Sequence, residues 1–369
     1  MHKANETVLE INLTSLEHNL RYLRSKIEPS TKLMAVVKAY AYGNDSCEIA
    51  KFLESKGVEY FAVAYAYEGV ALRKAGITTP ILVLHSIPAQ FEEIIEFHLE
   101  PNLYNKKVLE EFMSLMKHKG IQNYPIHLKF NTGLNRLGFE ARDLNYLYDQ
   151  LGQQNQLNIV SLFSHLAASE DLSVKDFTLK QISKFKDITD RFMNQFGFHP
   201  LLHILNTSGI LNYADIGQFD MVRSGIGLYG YGNDPDYDQE LKPIGTLKSI
   251  ISQIHTVNEG DSVGYNMGFT ATNTTRIGII PVGHADGIGR HFGKQKGFLT
   301  IGSKRAPIIG NVCMDMLMVD LNGIDCEEGD EVIVFGGPVS AEDFAKTGNT
   351  ISYELITGIS QRIKRVIIK

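Results

Sequence analysis

Cysteine is scarce in this sequence, and long apolar runs are missing altogether. The three cysteines, Cys47, Cys313 and Cys326, form no CxxC pair, which argues against a structural zinc site and for a reducing compartment. No stretch reaches the roughly 18 uninterrupted apolar residues that a membrane span requires. Basic charge is not in excess either: the net charge is −6, and the densest basic cluster is the short "IKR" near the C-terminus, so nucleic-acid binding has no support. The opening "MHKANETVLEI" lacks the apolar core and cleavage site of a signal peptide. Repeats and low-complexity tracts are also missing. These absences leave a cytoplasmic globular protein as the expectation, with neither membrane nor nucleic acid as partner. At 43% hydrophobic and 21% charged residues the composition is that of an ordinary soluble chain, and 369 residues are enough for about two domains.

The first 230 or so residues alternate strand-like and helix-like patterns. A helix is predicted over Ser15–Ile27, with "TSLE" (14–17) as a capping box at its start. Short apolar runs recur as "LMAVV" (33–37), "YFAVA" (60–64), "ILVL" (81–84), "EPNLY" (100–104), "IHLKF" (126–130), "IVSLFS" (159–164), "LLHIL" (201–205) and "FDMVR" (219–223). Helical stretches at 48–56, 67–75, 106–119 and 174–195 separate several of them. Eight strands mostly separated by helices are the pattern of an α/β (β/α)8 barrel of the TIM type, with "EPNLY" weakest because Pro101 demotes it. After about Asp236 the texture changes to long alternating runs, "GTLKSIISQIHTV" (245–257), "RIGIIPV" (276–282), "MLMVDL" (316–321) and "DEVIVFG" (330–336), and only the last forty residues look helical again. The expected division is a barrel over 1–236 and a mainly β domain over 237–369, parted by "GYGNDPDYD" (230–238). The strand-like "TVLEINL" (7–13) is a candidate to pair with the second domain rather than with the barrel.

In such a barrel, function collects where strands end at their C-termini. Lys38 ends the first strand in "AVVKAYAYG", where burial would lower an ammonium's pKa and suit an amine nucleophile, although a buried ion pair would also fit. Lys129 ends the fifth, with Arg136 in the loop beyond, and His165 follows the sixth. His203, Asn206, Thr207 and Ser208 cluster at the seventh, and Arg223 ends the eighth. One such residue alone is usually structural; a polar rim closing five apolar strands at the same end argues for a site.

Gly225, Gly227 and Gly230 spell GxGxxG, the dinucleotide fingerprint. Here it closes the barrel instead of opening a helix early in a βαβ unit, and no acidic residue lies between Leu241 and Gln253, so the Rossmann reading is rejected. The glycines can still expose backbone N–H groups to a phosphate, with the Thr207 hydroxyl nearby. A lysine and a phosphate cradle in a barrel suggest pyridoxal 5′-phosphate held as a Schiff base, with Arg223 facing the pyridine nitrogen. Arginine does not readily give up a proton. The ring would then be a weaker electron sink, which favours returning a proton to Cα. Racemisation needs a second proton carrier, for which Tyr265 in "VGYNMGFTA" is the candidate. A phenol is a poor base at neutral pH without positive surroundings, which coupling through His165 to Arg223 could supply.

Together these stretches resemble alanine racemase, a fold-type III pyridoxal phosphate enzyme. "AVVKAYAYG", "KFNTGLNRLG", "MVRSGIGLYG", "VGYNMGFTA", "PVGHADG", "NVCMDMLMVD" and "TISYELITGIS" follow in the family's order over nearly the whole chain. The resemblance implies a barrel, a β domain and a homodimer whose active sites draw on both subunits, making D-alanine for peptidoglycan. It implies that Lys38 carries the cofactor and exchanges the proton on the D side, and that Tyr265 of a second subunit acts on the L side. Tyr42, Thr207, Gly225, Ile226 and Tyr353 match phosphate contacts, and Arg223 matches the pyridine partner. His165 matches the link between tyrosine and arginine, and His203 a residue packing near the ring. Arg136 and the backbone N–H of Met314 match carboxylate-holding positions, and Lys129 matches a lysine often carbamylated in the family.

Three departures stand out. Asn131 replaces the usual aspartate near Lys129, His284 replaces a tyrosine near the substrate entrance, and Met267 replaces an arginine two places after Tyr265. None removes a catalytic residue, but His284 leaves a racemase of serine or of broader range as the alternative. A pyridoxal phosphate carrier, a decarboxylase of the same fold type and a Schiff-base aldolase are further rivals. The β domain with Tyr265 speaks against the carrier and the aldolase.

Overall fold

The computed structural model describes residues 4–369, which fall into two compact units. One comprises Glu17–Ala41 and Ser46–Lys242; the other comprises the N-terminal segment up to Leu16, Tyr42–Asp45 and Pro243–Lys369. The first strand, β1 (Val8–Asn12), belongs to the second of these. The helix that follows, Leu13–Arg24, starts earlier than the "TSLE" box predicts, because Asn12 Oδ1 accepts the Ser15 N–H at 2.9 Å and so caps it. That start lets Leu13, Leu16, Leu20 and Leu23 bury along one stripe.

The barrel unit carries eight parallel strands: β2 (Lys32–Val36), β3 (Tyr60–Val63), β4 (Ile81–Val83), β5 (Glu100–Leu103), β6 (Tyr124–Lys129), β7 (Leu157–Phe163), β8 (Leu201–His203) and β9 (Met221–Ser224). Their order is β8-β7-β6-β5-β4-β3-β2-β9. The ends of this sheet meet where Asp220 N–H donates to Leu202 O at 3.1 Å and Arg223 N–H to Leu205 O at 3.0 Å. Helices join the strands, among them Ser46–Ser55, Ala66–Lys74, Lys106–Lys119, Lys175–Phe196 and Thr207–Gly217. The barrel is therefore a TIM-like (β/α)8 fold. Pro101 is tolerated in β5, opposite Val83. Its neighbour Asn102 replaces ladder bonds with side-chain ones, its N–H donating to Ser86 Oγ and its amide to Leu84 O.

The other unit is mainly β. Its strands are β10 (Gly245–Ile250), β11 (Gln253–Val257), β12 (Ser262–Val263), β13 (Phe269–Thr270), β14 (Thr275–Ile280), β15 (Phe298–Ile301), β16 (Lys304–Ile309), β17 (Leu317–Asp320), β18 (Glu331–Phe335) and β19 (Lys364–Ile368). With β1 they make a nine-stranded sheet, β11-β14-β17-β16-β15-β18-β10-β1-β19, and a small β12–β13 pair. β1 runs antiparallel to β10 and parallel to β19. The last forty residues are not wholly helical as expected: two short helices, Ala341–Thr347 and Ser352–Thr357, precede β19, whose β-branched Val366, Ile367 and Ile368 suit an edge strand. No helix among the described residues is long and apolar enough to cross a membrane.

Candidate active site

Lys38 follows the end of β2 directly after Val37, whose N–H donates to Ala62 O at 2.9 Å. The chain then turns in a way its residues do not advertise. Ala39, Tyr40, Ala41 and Tyr42 all have φ between 51° and 57°, a single left-handed turn made without glycine. Such backbone costs roughly 1–2 kcal/mol per residue, so something must hold it. Glu68 does so within the barrel unit: Oε1 accepts the Ala39 N–H at 2.7 Å, and Oε2 accepts those of Ala64 and Tyr65 at 2.6 and 3.2 Å. Gly43 ends the turn at φ 84°, where a Cβ would lie 1.9 Å from Ile356 O. Lys38 itself is half-buried. Burial, and then Arg136, pull its ammonium below the ordinary lysine value, while Glu68 pulls the other way.

The same barrel face collects cations. Lys129 is buried, has no hydrogen-bond acceptor among the described residues, and stands 5.9 Å over the Phe163 ring. Burial first, then Arg136, Arg223 and Lys38, lower its pKa to about 7, so a large share of it is a neutral amine at neutral pH. Arg136 is exposed in the loop that Asn131 organises. Asn131 Oδ1 accepts the Gly133 and Asn135 N–H groups, and Nδ2 donates to Glu140 Oε1 at 2.7 Å. An aspartate at 131 would set two carboxylates against each other there, which gives the first departure a structural reason.

Arg223 is 4% exposed and donates four times: Nη1 to His203 Nδ1 at 2.6 Å, and Nη2 to Ser164 O at 2.7 Å, Ile204 O at 3.1 Å and His165 Nδ1 at 3.2 Å. Burial lowers it to about 9, which leaves it cationic at neutral pH. A guanidinium only donates, so both histidines present a bare Nδ1. Desolvation and the Arg223 charge hold both imidazoles well below their ordinary value and keep them neutral. Nε of Arg223 has no acceptor among the described residues. His203 stacks on Phe163 with ring centroids 4.9 Å apart and planes 2° from parallel.

Beside Arg223 the backbone offers an anion cradle. The N–H groups of Gly225 and Ile226 have no acceptor among the described residues, and Ile226 is 2% exposed. Thr207 Oγ1 lies 3.1 Å from Ser224 Oγ and accepts the Gly227 N–H at 3.2 Å. A Cβ on Gly227 would sit 2.6 Å from Thr207 Cγ2, so only glycine lets this turn approach. Asn206 shapes the cradle from below, its Oδ1 capping the Thr207–Gly217 helix through the Gly209 N–H at 2.9 Å. Ser208 is taken up by Asn233. Unaccepted N–H groups and an open arginine nitrogen fit a phosphate ester and a ring nitrogen respectively.

The second unit holds two further groupings. The rings of Tyr42 and Tyr353 are 6.1 Å apart, and burial, then Tyr353, push the Tyr42 hydroxyl up, so it stays a donor at neutral pH. Tyr265 and Met314 share a pocket of about 490 Å³ with His255, Asp315 and Met318. Tyr265 is 72% exposed and Met314 58%. Asn311 Nδ2 donates to Tyr265 O at 2.8 Å, pinning a loop in which Asn266 and Met267 have positive φ. The Met314 N–H has no acceptor among the described residues. The exposed His284 is tied by its N–H to Cys313 O at 2.9 Å and does not line that pocket. Met267 lines a second pocket with Arg290 and Lys294, so positive charge reaches that surface from another segment.

Within the barrel unit, then, Lys38, Lys129, Arg136, His165, His203, Thr207, Arg223, Gly225 and Ile226 form one polar face. Tyr42 with Tyr353, and Tyr265 with Met314, are grouped in the other unit. Glu68 and Asn311 escaped sequence reasoning because the bonds that matter, Glu68 to the Ala39 N–H and Asn311 to Tyr265 O, join segments distant in sequence.

Residues 11–233 match the family description "Alanine racemase, N-terminal domain" and 244–367 match "Alanine racemase, C-terminal domain". Among curated relatives, alanine racemase 2 of Caldanaerobacter subterraneus subsp. tengcongensis is 35% identical over 98% of this chain and 95% of its own length. Among solved structures, alanine racemase of Clostridium difficile 630 superposes with a TM-score of 0.92 at 33% identity, covering 99% of this chain and 96% of that one. The Bartonella henselae alanine racemase with covalently bound pyridoxal phosphate gives 0.89 at 28% identity, over 99% of this chain and all of that one.

Proposed function

The chain belongs to the alanine racemase family, and from that premise we propose that it moves the Cα proton of alanine between two bases, Lys38 and Tyr265. It is an isomerase that interconverts L- and D-alanine and depends on pyridoxal 5′-phosphate. When bound, that cofactor draws the amino group of alanine into conjugation with its ring and so acidifies the Cα proton. Lys38 Nζ takes and returns the proton on the D side, and Tyr265 Oη of a second copy does so on the L side. Two bases on opposite faces give inversion. Thr207, Gly225 and Ile226 hold the phosphate, to which the resemblance adds Tyr42 and Tyr353. Arg136 and the Met314 N–H orient the substrate carboxylate. As a neutral amine, Lys129 adds to carbon dioxide, forming an N–C bond and releasing one N–H proton to solvent, and the carbamate anion so made steadies Arg136.

One observation carries this reading: Arg223 is a buried cation whose Nη groups are taken and whose Nε is open. A donor at the ring nitrogen that keeps its proton leaves electron density at Cα, where reprotonation follows. His165 links Arg223 toward Tyr265, and His203 packs near the ring. The exposure of Tyr265 and Met314 supports a homodimer in which each copy completes the other's site. We place the enzyme in the cytoplasm, supplying D-alanine for peptidoglycan. A chiral assay of purified protein with pyridoxal phosphate, given L-alanine or L-serine separately, tests the reading. D-alanine should form rapidly and D-serine slowly. Preferred D-serine would move the substrate and implicate His284; no D-product with cofactor bound would overturn the assignment.

A further inference from the structure

A line of buried polar side chains crosses the barrel interior behind Arg223. β5 contributes Glu100, β6 His127, β7 Ser161, β8 His203 and β9 Arg223. His127, Ser161 and His203 are fully buried, and Glu100 is 8% exposed at the start of its strand. Successive contacts are 2.6 Å from Arg223 Nη1 to His203 Nδ1, 2.9 Å from His203 Nε2 to Ser161 Oγ, 2.6 Å from Ser161 Oγ to His127 Nδ1, and 2.7 Å from His127 Nε2 to Glu100 Oε2.

The two ends fix the direction. Because Arg223 only donates, His203 Nδ1 accepts and the His203 proton sits on Nε2. That proton goes to Ser161 Oγ, whose own hydrogen is left for His127 Nδ1. His127 Nε2–H then donates to Glu100, which only accepts when ionised. Each donor meets one acceptor. Reversing the chain would set a His203 N–H against an Arg223 N–H. Nearby groups do not compete for Glu100: Tyr124 donates to Ile94 O and Leu99 O, Arg73 to the carbonyls of Ile77, Thr79, Phe97 and His98, and Tyr60 meets His127 edge to face.

We propose that Glu100, His127 and Ser161 are positioning residues for Arg223, a directed hydrogen-bond chain that fixes the His203 tautomer and with it the orientation of the guanidinium. The catalytic consequence rests on the assignment of Arg223 to the cofactor's ring nitrogen; the chain itself does not. Without its far end, His203 can place a proton on Nδ1, lose Arg223 as a donor and let the guanidinium turn. Networks of this kind are fully satisfied or disruptive, so a single break should be felt at the far end.

The test compares holoenzymes of wild type, Ser161→Ala, Glu100→Gln and Glu100→Leu by imidazole 15N–1H NMR and by racemisation of alanine. Gln keeps an acceptor for His127; Leu removes it at similar bulk. Wild type and Glu100→Gln should both carry the His203 proton on Nε2. Ser161→Ala and Glu100→Leu should show mixed tautomers and a kcat roughly tenfold lower, the scale for losing a partner that orients a site residue, with KM little changed. An Nδ1-protonated His203 in wild type would overturn the chain. So would equal losses in Gln and Leu, which packing alone would give, or unchanged tautomer and kcat in Ser161→Ala and Glu100→Leu. If Ser161→Ala and Glu100→Leu fail to fold, the His127 ring decides in wild type and Glu100→Gln: a proton on Nε2 alone in both upholds the chain, and one on Nδ1 in either overturns it. Absence of racemisation in wild type would refute the Arg223 assignment and leave the tautomer result standing.

Discussion

Lys38 and Tyr265 have surroundings of opposite kinds. Lys38 is half-buried at the start of a turn braced by Glu68, among Lys129, Arg136 and Arg223, and its charge is already destabilised by burial. Tyr265 is 72% exposed on a loop pinned by one Asn311 hydrogen bond, beside an exposed Met314. The barrel residue is tuned by its own unit. The tyrosine has its position set but its electrostatic setting left to whatever covers it. The homodimer proposed above would have this asymmetry: one half of each site arrives charged and organised, and the other arrives as an exposed reagent on a strained loop.

Breaking the organised half should have the largest effect. Lys38→Ala removes the cofactor anchor and one base, so racemisation should fall by more than the roughly 10²–10⁴-fold that a general base alone contributes. The visible absorbance of the lysine-bound cofactor should vanish with it; an unchanged spectrum would place the anchor elsewhere. Tyr265→Phe should lower kcat by roughly 10²–10⁴-fold while the cofactor spectrum stays. Mixing those two inactive variants sharpens the contrast. Random exchange makes half the dimers mixed, each with one intact site, so about a quarter of wild-type activity should return. No recovery after subunit exchange would confine both bases to one chain.

A smaller effect follows from Lys129. Its folded pKa near 7 lies below the ordinary lysine value, so between about pH 7 and 10.5 the unfolded chain binds more protons and stability rises with pH. Below that window the full burden of burying the charge remains. In carbon dioxide-free buffer, Lys129→Met should therefore be most stabilising at or below pH 7, with its advantage shrinking toward pH 10. Urea unfolding midpoints check this, and an advantage constant with pH would contradict it. The smallest effect is expected at Ala39, exposed at φ 51°. Ala39→Gly should stabilise by up to about 1 kcal/mol by relieving left-handed strain, which thermal unfolding would detect.

The barrel was legible because its strands are short apolar runs whose polar residues fall at one end, as Lys38, Lys129, His203 and Arg223 do. The missing pieces have physical causes. The hairpin of β15 and β16 lies in "GFLTIGSKRAPIIG", where glycines and a proline mask the alternation. The left-handed turn after Lys38 carries alanine and tyrosine where glycine would be the signal, since tertiary bonds from Glu68 override local preference. Thr14 looked like a cap because its box is regular, yet Asn12 had the better geometry. Among site residues, the open Gly225 and Ile226 N–H groups follow from the glycine pattern. The partners of Arg223 do not, because His127 and Ser161 read simply as polar residues inside strands.

Proton exchange at Cα tests the two-base account most directly. Holoenzyme carrying Tyr265→Phe would be incubated in deuterium oxide with D-alanine or L-alanine, and α-deuterium followed in each by NMR and chiral separation. The account predicts that D-alanine takes up deuterium through Lys38 while L-alanine keeps its proton, with little racemisation from either side. Deuterium entering L-alanine as fast as D-alanine, or racemisation at the wild-type rate, would contradict the assignment of Tyr265 to the L face.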